Sequence, residues 1–394
     1  AVKTIRYLNF KPEIADKYQK ISEEYEKETG IKVIVETAAN NTYEQTLTAK
    51  MATDDAPTIF QINGPHGYNN WKDYCAELSG TEIYKHLTDK EMAVTSNGGV
   101  YGIPYVVEGY GIIYNSEITD KYFALQNKAA KFTSMADINT FAALSALVQD
   151  MQKNASALGI EGVFSSTSLK AGEDWRWQTH LANIPVYYEF RKNDIDLTSD
   201  AAKKISFEFA ENYKNIFDLY TNNSVSDKKE LGRKIVDESM AEFAQGKSAM
   251  VQNGNWAWSQ ISGIAGNTVK ESNIKFLPIY TGVAGEEKQG ICIGTENFLA
   301  INSKASEAEQ KAAADFLYWL YSSEKGKSFV LNDLGFIAPF DTFKADETPT
   351  DPLAKQVVEW MNKDGITNVP WQFTVFPSQT FKDDLGAVLL QYVQ

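Results

Sequence analysis

The stretch Met250-Val251-Gln252-Asn253-Gly254-Asn255-Trp256-Ala257-Trp258-Ser259 joins a short apolar strand, an Asn-Gly turn and two tryptophans. The glycine lets the backbone reverse where a side chain would collide. Trp256 directly follows the turn and would present a flat apolar ring with one N–H donor. Such a ring suits a sugar, which has an apolar C–H face and a rim of hydroxyls. Most tryptophans are core residues, however, so this stretch alone leaves both interpretations open.

The length and composition limit the classes of protein to which this chain can belong. A chain of 394 residues with 43% hydrophobic and 23% charged residues predicts a folded protein of two or three domains. The formal net charge of −14 argues against binding nucleic acid or an anionic lipid surface. No apolar run is long enough for a transmembrane helix. The chain starts directly in a predicted strand without a signal peptide, which fits a cytoplasmic protein or a mature exported one.

The motifs of common cofactor, metal and hydrolase sites are absent from the sequence. His66, His86 and His180 show no metal-ligand spacing. Cys75 and Cys292 fit no metal or redox spacing, and the sequence leaves open whether they pair. We therefore predict neither a cofactor nor a metal.

The first forty residues predict a βαβ unit, with strands at 5–10 and 31–35 around an amphipathic helix that ends at Gly30. The two strands should be parallel with a right-handed crossover. Ligands of open parallel sheets lie beyond the carboxyl ends of the strands. This rule makes Lys11 and Glu13 candidates after the first strand, and Asn63 a candidate after a later one.

Two further segments carry acidic residues in an apolar context. The run Pro104-Tyr105-Val106-Val107-Glu108-Gly109-Tyr110-Gly111-Ile112-Ile113-Tyr114-Asn115 places Glu108 between two apolar strands, where a carboxylate needs partners or faces a cleft. The run Gly172-Glu173-Asp174-Trp175 places an acidic pair before an aromatic at a predicted helix start.

Together with the opening stretch, these segments closely resemble the maltose/maltodextrin-binding proteins, which are carbohydrate-binding extracellular solute-binding proteins (family 1) of ABC importers. The resemblance recurs in order along most of the chain and is strongest around Glu108 and Trp256. It implies an α/β, two-lobed periplasmic-binding-protein-like fold of type II, with discontinuous lobes joined by a multi-strand hinge. The predicted lobes are 1–113 with 279–322, and 114–278 with 323–394.

The resemblance also implies roles for individual residues. Glu108 would accept hydrogen bonds from sugar hydroxyls, and Trp256 would stack on a sugar ring. Glu173 and Trp175 match a Glu and a Tyr at the sugar, so the tryptophan here keeps the stacking face but lacks the phenol hydroxyl. Further ligand-binding candidates are Asn255, Glu296 and Trp371. Trp177 and Trp258 are predicted to be core residues.

The function implied by the resemblance is capture of an oligosaccharide in an interlobe cleft, hinge closure, and delivery to an ABC permease. The protein is then a monomer without enzyme activity, periplasmic or lipid-anchored on the cell surface. A second hypothesis is that the protein is a glycoside hydrolase, with Glu108 and Glu173 as its two catalytic carboxylates. A third hypothesis is that the protein has the same fold but binds a peptide, a polyamine or a metal chelate.

Overall fold

The computed structural model describes residues 1–38 and 42–394. Its strands are β1 (Thr4–Asn9), β2 (Lys32–Thr37), β3 (Ile59–Ile62), β4 (Val94–Ser96), β5 (Gly99–Pro104), β6 (Glu108–Asn115), β7 (Gly162–Phe164), β8 (Ser248–Gly254), β9 (Ile274–Leu277), β10 (Gln289–Gly294), β11 (Phe298–Ile301) and β12 (Thr367–Val369). They form two sheets, each in a compact unit of its own.

The α-helices are α1 (Ala15–Thr29), α2 (Tyr43–Met51), α3 (Pro65–Trp71), α4 (Glu82–Lys85), α5 (Ser116–Phe123), α6 (Phe141–Lys153), α7 (Ala155–Leu158), α8 (Asn183–Lys192), α9 (Ala210–Asn222), α10 (Val236–Ala244), α11 (Ala257–Ser262), α12 (Glu307–Ser322), α13 (Glu324–Ser328), α14 (Pro352–Met361) and α15 (Gln379–Val393). Arg176–Leu181 and Phe329–Asp333 are π-helical.

Unit 1 comprises residues 1–107, 196–199 and 294–349. Its sheet has the order β2-β1-β3-β11-β5-β4. The predicted βαβ unit is confirmed, since β1 pairs in parallel with β2 and Gly30 ends α1 with a positive φ of 75°. Tyr18, Ile21 and Tyr25 of α1 are buried, because this apolar stripe packs into the core beneath the sheet.

Unit 2 comprises residues 108–195, 200–293 and 350–394. Its sheet has the order β12-β10-β6-β8-β7, and β9 also pairs with β6. The strand β6 lies antiparallel to both β8 and β9, and its interior residues Ile112 and Ile113 are fully buried. Residues 250–259 therefore form the end of β8, the turn after it and the start of α11, and β8 is an interior strand of this sheet.

The units differ from the predicted lobes at their edges. Residues 323–349 belong to unit 1, because Val330, Phe336 and Phe340 pack into the same core as α12 and β1. Residues 108–113 and 279–293 belong to unit 2, because they form β6, β10 and the loop that precedes β10. The stretch 293–302 contains the end of β10, which belongs to the sheet of unit 2, and β11, which belongs to the sheet of unit 1.

Two helices of unit 2 follow a short 3₁₀ turn. The Ser134–Asp137 capping box starts only a 3₁₀ turn, and α6 begins later with Thr140 as its N-cap. Residues 200–203 form another 3₁₀ turn, and α9 begins at Ala210.

Cys75 and Cys292 are both free and buried, in unit 1 and unit 2 respectively. Within residues 1–38 and 42–394, no helix combines the length and the apolar character needed to cross a bilayer. Over the same residues, no group of three or more His, Cys, Asp or Glu side chains is arranged to hold a metal ion.

Candidate functional site

The sequence-predicted site residues divide between the units. Unit 2 contains Glu108, Glu173, Trp175, Asn255, Trp256 and Trp371, whereas unit 1 contains Lys11, Glu13, Asn63 and Glu296. Trp175, Trp256 and Trp371 of unit 2 all lie next to His180, and this group is the candidate site.

The turn after β8 is tied to the start of β6. The Asn255 backbone N–H donates to the Gly109 carbonyl at 2.9 Å, and the Gly109 N–H donates to Asn255 Oδ1 at 2.8 Å. This reciprocal pair brings the Trp256 turn next to Glu108, the first residue of β6. The side-chain oxygen of Asn255, predicted as a ligand contact, is therefore used to fix the turn.

Trp256 is half-buried and its ring lies over Gly254. A Cβ atom at position 254 would collide with the six-membered part of that indole, so only glycine leaves room for this ring position. Trp258 is only 9% exposed and belongs to the buried core, as the sequence predicted. The two tryptophans thus have different roles, and Trp256 is the one that can present its ring.

Trp371 forms a second aromatic wall. Its indole Nε1 donates to the Cys292 carbonyl oxygen at 3.3 Å, which attaches the loop after β12 to β10. Its ring lies 6.4 Å from that of Trp256, with an angle of 82° between the planes. The two indoles therefore form a corner with nearly perpendicular faces.

Trp175 and His180 are joined across the π-helix. Trp175 Nε1 donates to His180 Nε2 at 2.9 Å, and the Lys382 ammonium lies 4.4 Å from the Trp175 ring centroid. Trp177, between them in sequence, is buried and donates to the Thr167 carbonyl, which confirms it as a core residue. The indole N–H and one face of Trp175 are therefore both engaged by the protein.

His180 lies at the centre of this group. Its ring stacks on Tyr110 with centroids 4.5 Å apart, and it lies 5.5 Å from Trp256 and 5.6 Å from Phe373. We call these six residues the aromatic cluster: Tyr110, Trp175, His180, Trp256, Trp371 and Phe373. Sequence reasoning missed Tyr110, His180 and Phe373, because no local pattern distinguishes them from ordinary core residues.

The charges around the aromatic cluster favour a neutral His180. Burial, together with the nearby Arg176 and Lys382 cations, holds the pKa of His180 well below its usual range. Because Nε2 accepts the Trp175 hydrogen bond, the proton of the neutral ring is assigned to Nδ1. The pKa of Arg176 is lowered by its burial, and the Glu173 carboxylate opposes that shift.

Three buried polar atoms in the segments that carry the aromatic cluster lack a partner within the part of the chain that the structure describes. They are Glu173 Oε2, His180 Nδ1 and Gln372 Oε1. Leaving such an atom unpaired costs about 1–3 kcal/mol. Aromatic faces combined with a few unpaired polar groups are the usual lining of a small-molecule site.

The four candidates in unit 1 do not belong to the aromatic cluster. Lys11 lies at the end of β1 with its ammonium 5.4 Å from the Phe336 ring centroid, and Glu13 is exposed in the following 3₁₀ turn. Asn63 is exposed directly after β3, and Glu296 is exposed between β10 and β11. Lys11, Glu13 and Asn63 thus follow the carboxyl ends of β1 and β3, and contact of any of the four residues with a ligand stays a prediction.

Comparison with known proteins supports the two-lobed fold. A structure of a family 1 extracellular solute-binding protein from Bifidobacterium longum subsp. infantis is 18% identical with a TM-score of 0.71, covering 100% of this chain and 95% of that one. The apo form of RafE from Streptococcus pneumoniae is 19% identical with a TM-score of 0.70, covering 100% and 93%. RafE in complex with raffinose is 20% identical with a TM-score of 0.60, covering 99% and 94%.

The family itself follows from the sequence. A model of the family described as bacterial extracellular solute-binding protein matches residues 20–356, which is most of the chain. The α/β architecture with two sheets in two discontinuous units agrees with that match. This protein therefore belongs to the bacterial extracellular solute-binding proteins.

Proposed function

We propose that this protein is the substrate-binding component of an ABC importer and that it captures an oligosaccharide for delivery to membrane permease subunits. The family is one of binding proteins, and a structurally similar member, RafE, is known in complex with raffinose. The protein acts as a monomer outside the cytoplasmic membrane, either in a periplasm or lipid-anchored at the cell surface, and it catalyses no reaction on its ligand.

The observation that carries this proposal is the corner formed by Trp256 and Trp371, together with the unpaired polar atoms nearby. The apolar C–H face of a sugar ring stacks on an indole, and its hydroxyls both donate and accept hydrogen bonds. Glu173 Oε2 and Gln372 Oε1 would accept from such hydroxyls, and His180 Nδ1–H would donate to one. A wholly apolar ligand would leave these atoms unpaired.

The charges weigh against a polyamine at this site. Arg176 and Lys382 act on His180 as nearby cations, and Lys382 covers a face of Trp175. A cationic ligand would be repelled by both, which Glu173 and the neighbouring carboxylates would have to offset. An uncharged, hydroxyl-rich ligand meets no such penalty, so the sugar remains the better fit.

The remaining candidates keep their proposed roles. Glu108 accepts hydrogen bonds from sugar hydroxyls next to the Trp256 turn. Lys11, Glu13, Asn63 and Glu296 supply contacts from the other lobe when the two lobes close on the ligand.

The test is calorimetric titration and thermal shift with raffinose, maltotriose and chitotriose. We expect at least one of them to bind and to raise the melting temperature, because a ligand that binds only the folded state stabilises it. Glu108→Gln should then weaken binding by roughly tenfold or more. Glu161→Gln, which changes an exposed carboxylate of the same unit, is the control and should bind normally.

Three outcomes would contradict the proposal or parts of it. Stabilisation by a peptide or by spermidine, with no response to the sugars, would assign the fold to a non-sugar solute. Cleavage products in a chromatographic assay would identify a glycoside hydrolase. If Glu108→Gln binds the sugar with unchanged affinity, Glu108 has a structural role and does not contact the ligand.

A further inference from the structure

We propose that His180 is the positioning residue of the aromatic cluster, holding Trp175 by a hydrogen bond and supporting Trp256 so that the tryptophan walls are set before a ligand arrives. This inference rests on the proposed function and deepens it, because it names the group that shapes the sugar site. It also predicts a property of the unliganded protein.

The π-helix is the element that makes this contact possible. Trp175 and His180 are five residues apart. In an α-helix, five residues correspond to a rotation that separates two side chains by about 140° around the axis. The wider turn over Arg176–Leu181 brings the two side chains to one side, and Trp175 Nε1 reaches His180 Nε2 at 2.9 Å. Single π-turns are rare and occur often at functional sites.

The hydrogen bond is directional and depends on a neutral imidazole. Nε2 must keep its lone pair to accept from the indole, so the proton lies on Nδ1. That Nδ1–H is buried and has no acceptor within the part of the chain that the structure describes. An ordinary core histidine would have both nitrogens paired. The arrangement therefore uses one nitrogen for Trp175 and leaves the other for a partner that is not part of the protein.

Three further aromatic rings lie next to the imidazole. Tyr110 stacks on it at 4.5 Å and its hydroxyl donates to the His180 carbonyl at 2.7 Å, which fixes the ring from β6. Trp256 lies 5.5 Å away at an interplanar angle of 45°, and Trp371 lies 6.5 Å away. The position of His180 therefore affects each tryptophan of the aromatic cluster.

Trp175 itself is restrained rather than free to stack. With Lys382 over one face and its N–H directed at His180, it cannot rotate without losing both contacts. Trp175 therefore forms the part of the aromatic cluster that lies directly beside His180. The Trp256–Trp371 corner then provides the stacking surfaces, and His180 sets where that corner lies relative to Trp175.

The experiment uses two variants of the full chain labelled with ¹⁵N at the tryptophan indoles. His180→Phe keeps a ring of similar size but removes the acceptor, whereas His180→Gln keeps an acceptor near the position of Nε2 and removes the ring. The Trp175 indole signal is identified by its loss in Trp175→Phe. Trp177→Phe is the control, because it alters a core indole on the same π-helix whose N–H bonds to Thr167.

In His180→Phe without ligand, we expect the Trp175 indole N–H resonance to move upfield because its hydrogen bond is lost. In His180→Gln, that resonance should stay close to its wild-type position. The affinity for the sugar that binds the wild type should fall by roughly tenfold or more in His180→Phe and be partly restored in His180→Gln. Trp177→Phe should lower the melting temperature while leaving both the Trp175 resonance and the affinity unchanged.

An unmoved Trp175 resonance in His180→Phe, or a shifted resonance with wild-type affinity, would overturn the positioning role. If His180→Phe does not fold, His180→Gln decides, because a displaced Trp175 resonance there would also contradict the proposal. If no oligosaccharide binds the wild type, the proposed function fails. The resonance of the unliganded protein still tests whether His180 holds Trp175.

Discussion

At the residue scale, Trp256 and Trp258 sit two positions apart with different surroundings, and their substitution should separate binding from stability. Trp256→Ala should weaken sugar binding by roughly a hundredfold, since both the stacking and the burial against the ligand are lost. Trp258→Ala should lower the free energy of unfolding by about 3–5 kcal/mol, because it empties a buried aromatic site. Calorimetric titration and urea unfolding of both variants measure these effects.

Each of these tryptophans is the control for the other, because they have the same side chain and lie two residues apart, one at the N-cap and one in the first turn of α11. A Trp256→Ala protein that binds normally but melts much earlier would mean that Trp256 is the core residue. In that case the ligand would have to be sought away from the β8 turn.

His180 gives a pH dependence of stability at the same scale. Its folded-state pKa lies well below the ordinary value of 6.5, because of burial and the Arg176 and Lys382 cations. As the pH falls below about 7, His180 takes up a proton in the unfolded chain but stays neutral in the folded protein. The free energy of unfolding therefore decreases as the pH falls below that value. Protonation of this one group lowers the free energy of unfolding by at most about 1.4 kcal/mol per pH unit.

We therefore expect the free energy of unfolding to fall more steeply between about pH 7 and pH 5 in the wild type than in His180→Phe. Urea unfolding of both proteins over that range measures the difference. His66 and His86 are present in both proteins and cancel in the comparison. Parallel curves would show that His180 takes up a proton in the folded state as readily as in the unfolded chain.

At the element scale, a buried carboxylate joins the loop before β10 to the start of α6. Glu286 Oε1 accepts from the Phe141 N–H at 2.7 Å, and its Oε2 accepts from the Thr281 and Gly282 N–H groups, each at 2.9 Å. Glu286→Ala should lower the free energy of unfolding by about 3 kcal/mol or more, since three backbone donors lose a charged acceptor.

The neighbouring Glu287 is exposed and provides a matched control. Glu287→Ala should change the free energy of unfolding by no more than about 0.5 kcal/mol, as is usual for surface substitutions. Urea unfolding curves of the two variants decide the matter. Equal and small effects would mean that the loop finds other acceptors when Glu286 is removed.

At the scale of the whole molecule, the proposed function requires that the ligand touch residues of both units. Binding should then lower the radius of gyration measured by solution X-ray scattering, since closure of two lobes on a ligand makes the molecule more compact. Asn63→Ala should weaken binding if unit 1 contributes its predicted contacts. A tightly bound sugar that leaves both the scattering curve and the Asn63→Ala affinity unchanged would confine the site to unit 2.

Much of the local structure followed from sequence alone. The first βαβ unit, the end of α1 at Gly30, the strand at 249–251 and the burial of Trp258 are as predicted. Asn253 and Gly254, predicted to form a turn, instead continue β8, and the chain turns one residue later. The correctly predicted features depend mainly on short-range effects, namely side-chain periodicity and the backbone freedom of glycine at Gly30. The resemblance around Glu108 and Trp256 likewise led to the correct family.

Only the tertiary structure decided the centre of the candidate site. His180 looks like a lone histidine in a helical segment, and its neighbours in sequence indicate neither the π-helix nor the contacts with Tyr110 of β6 and Phe373 of the distant C-terminal segment. Residues 323–349 joined unit 1 for the same kind of reason, since their apolar side chains fit either core by composition. Which partners an apolar or aromatic side chain meets is set by packing between elements far apart in sequence, and no local pattern carries that information.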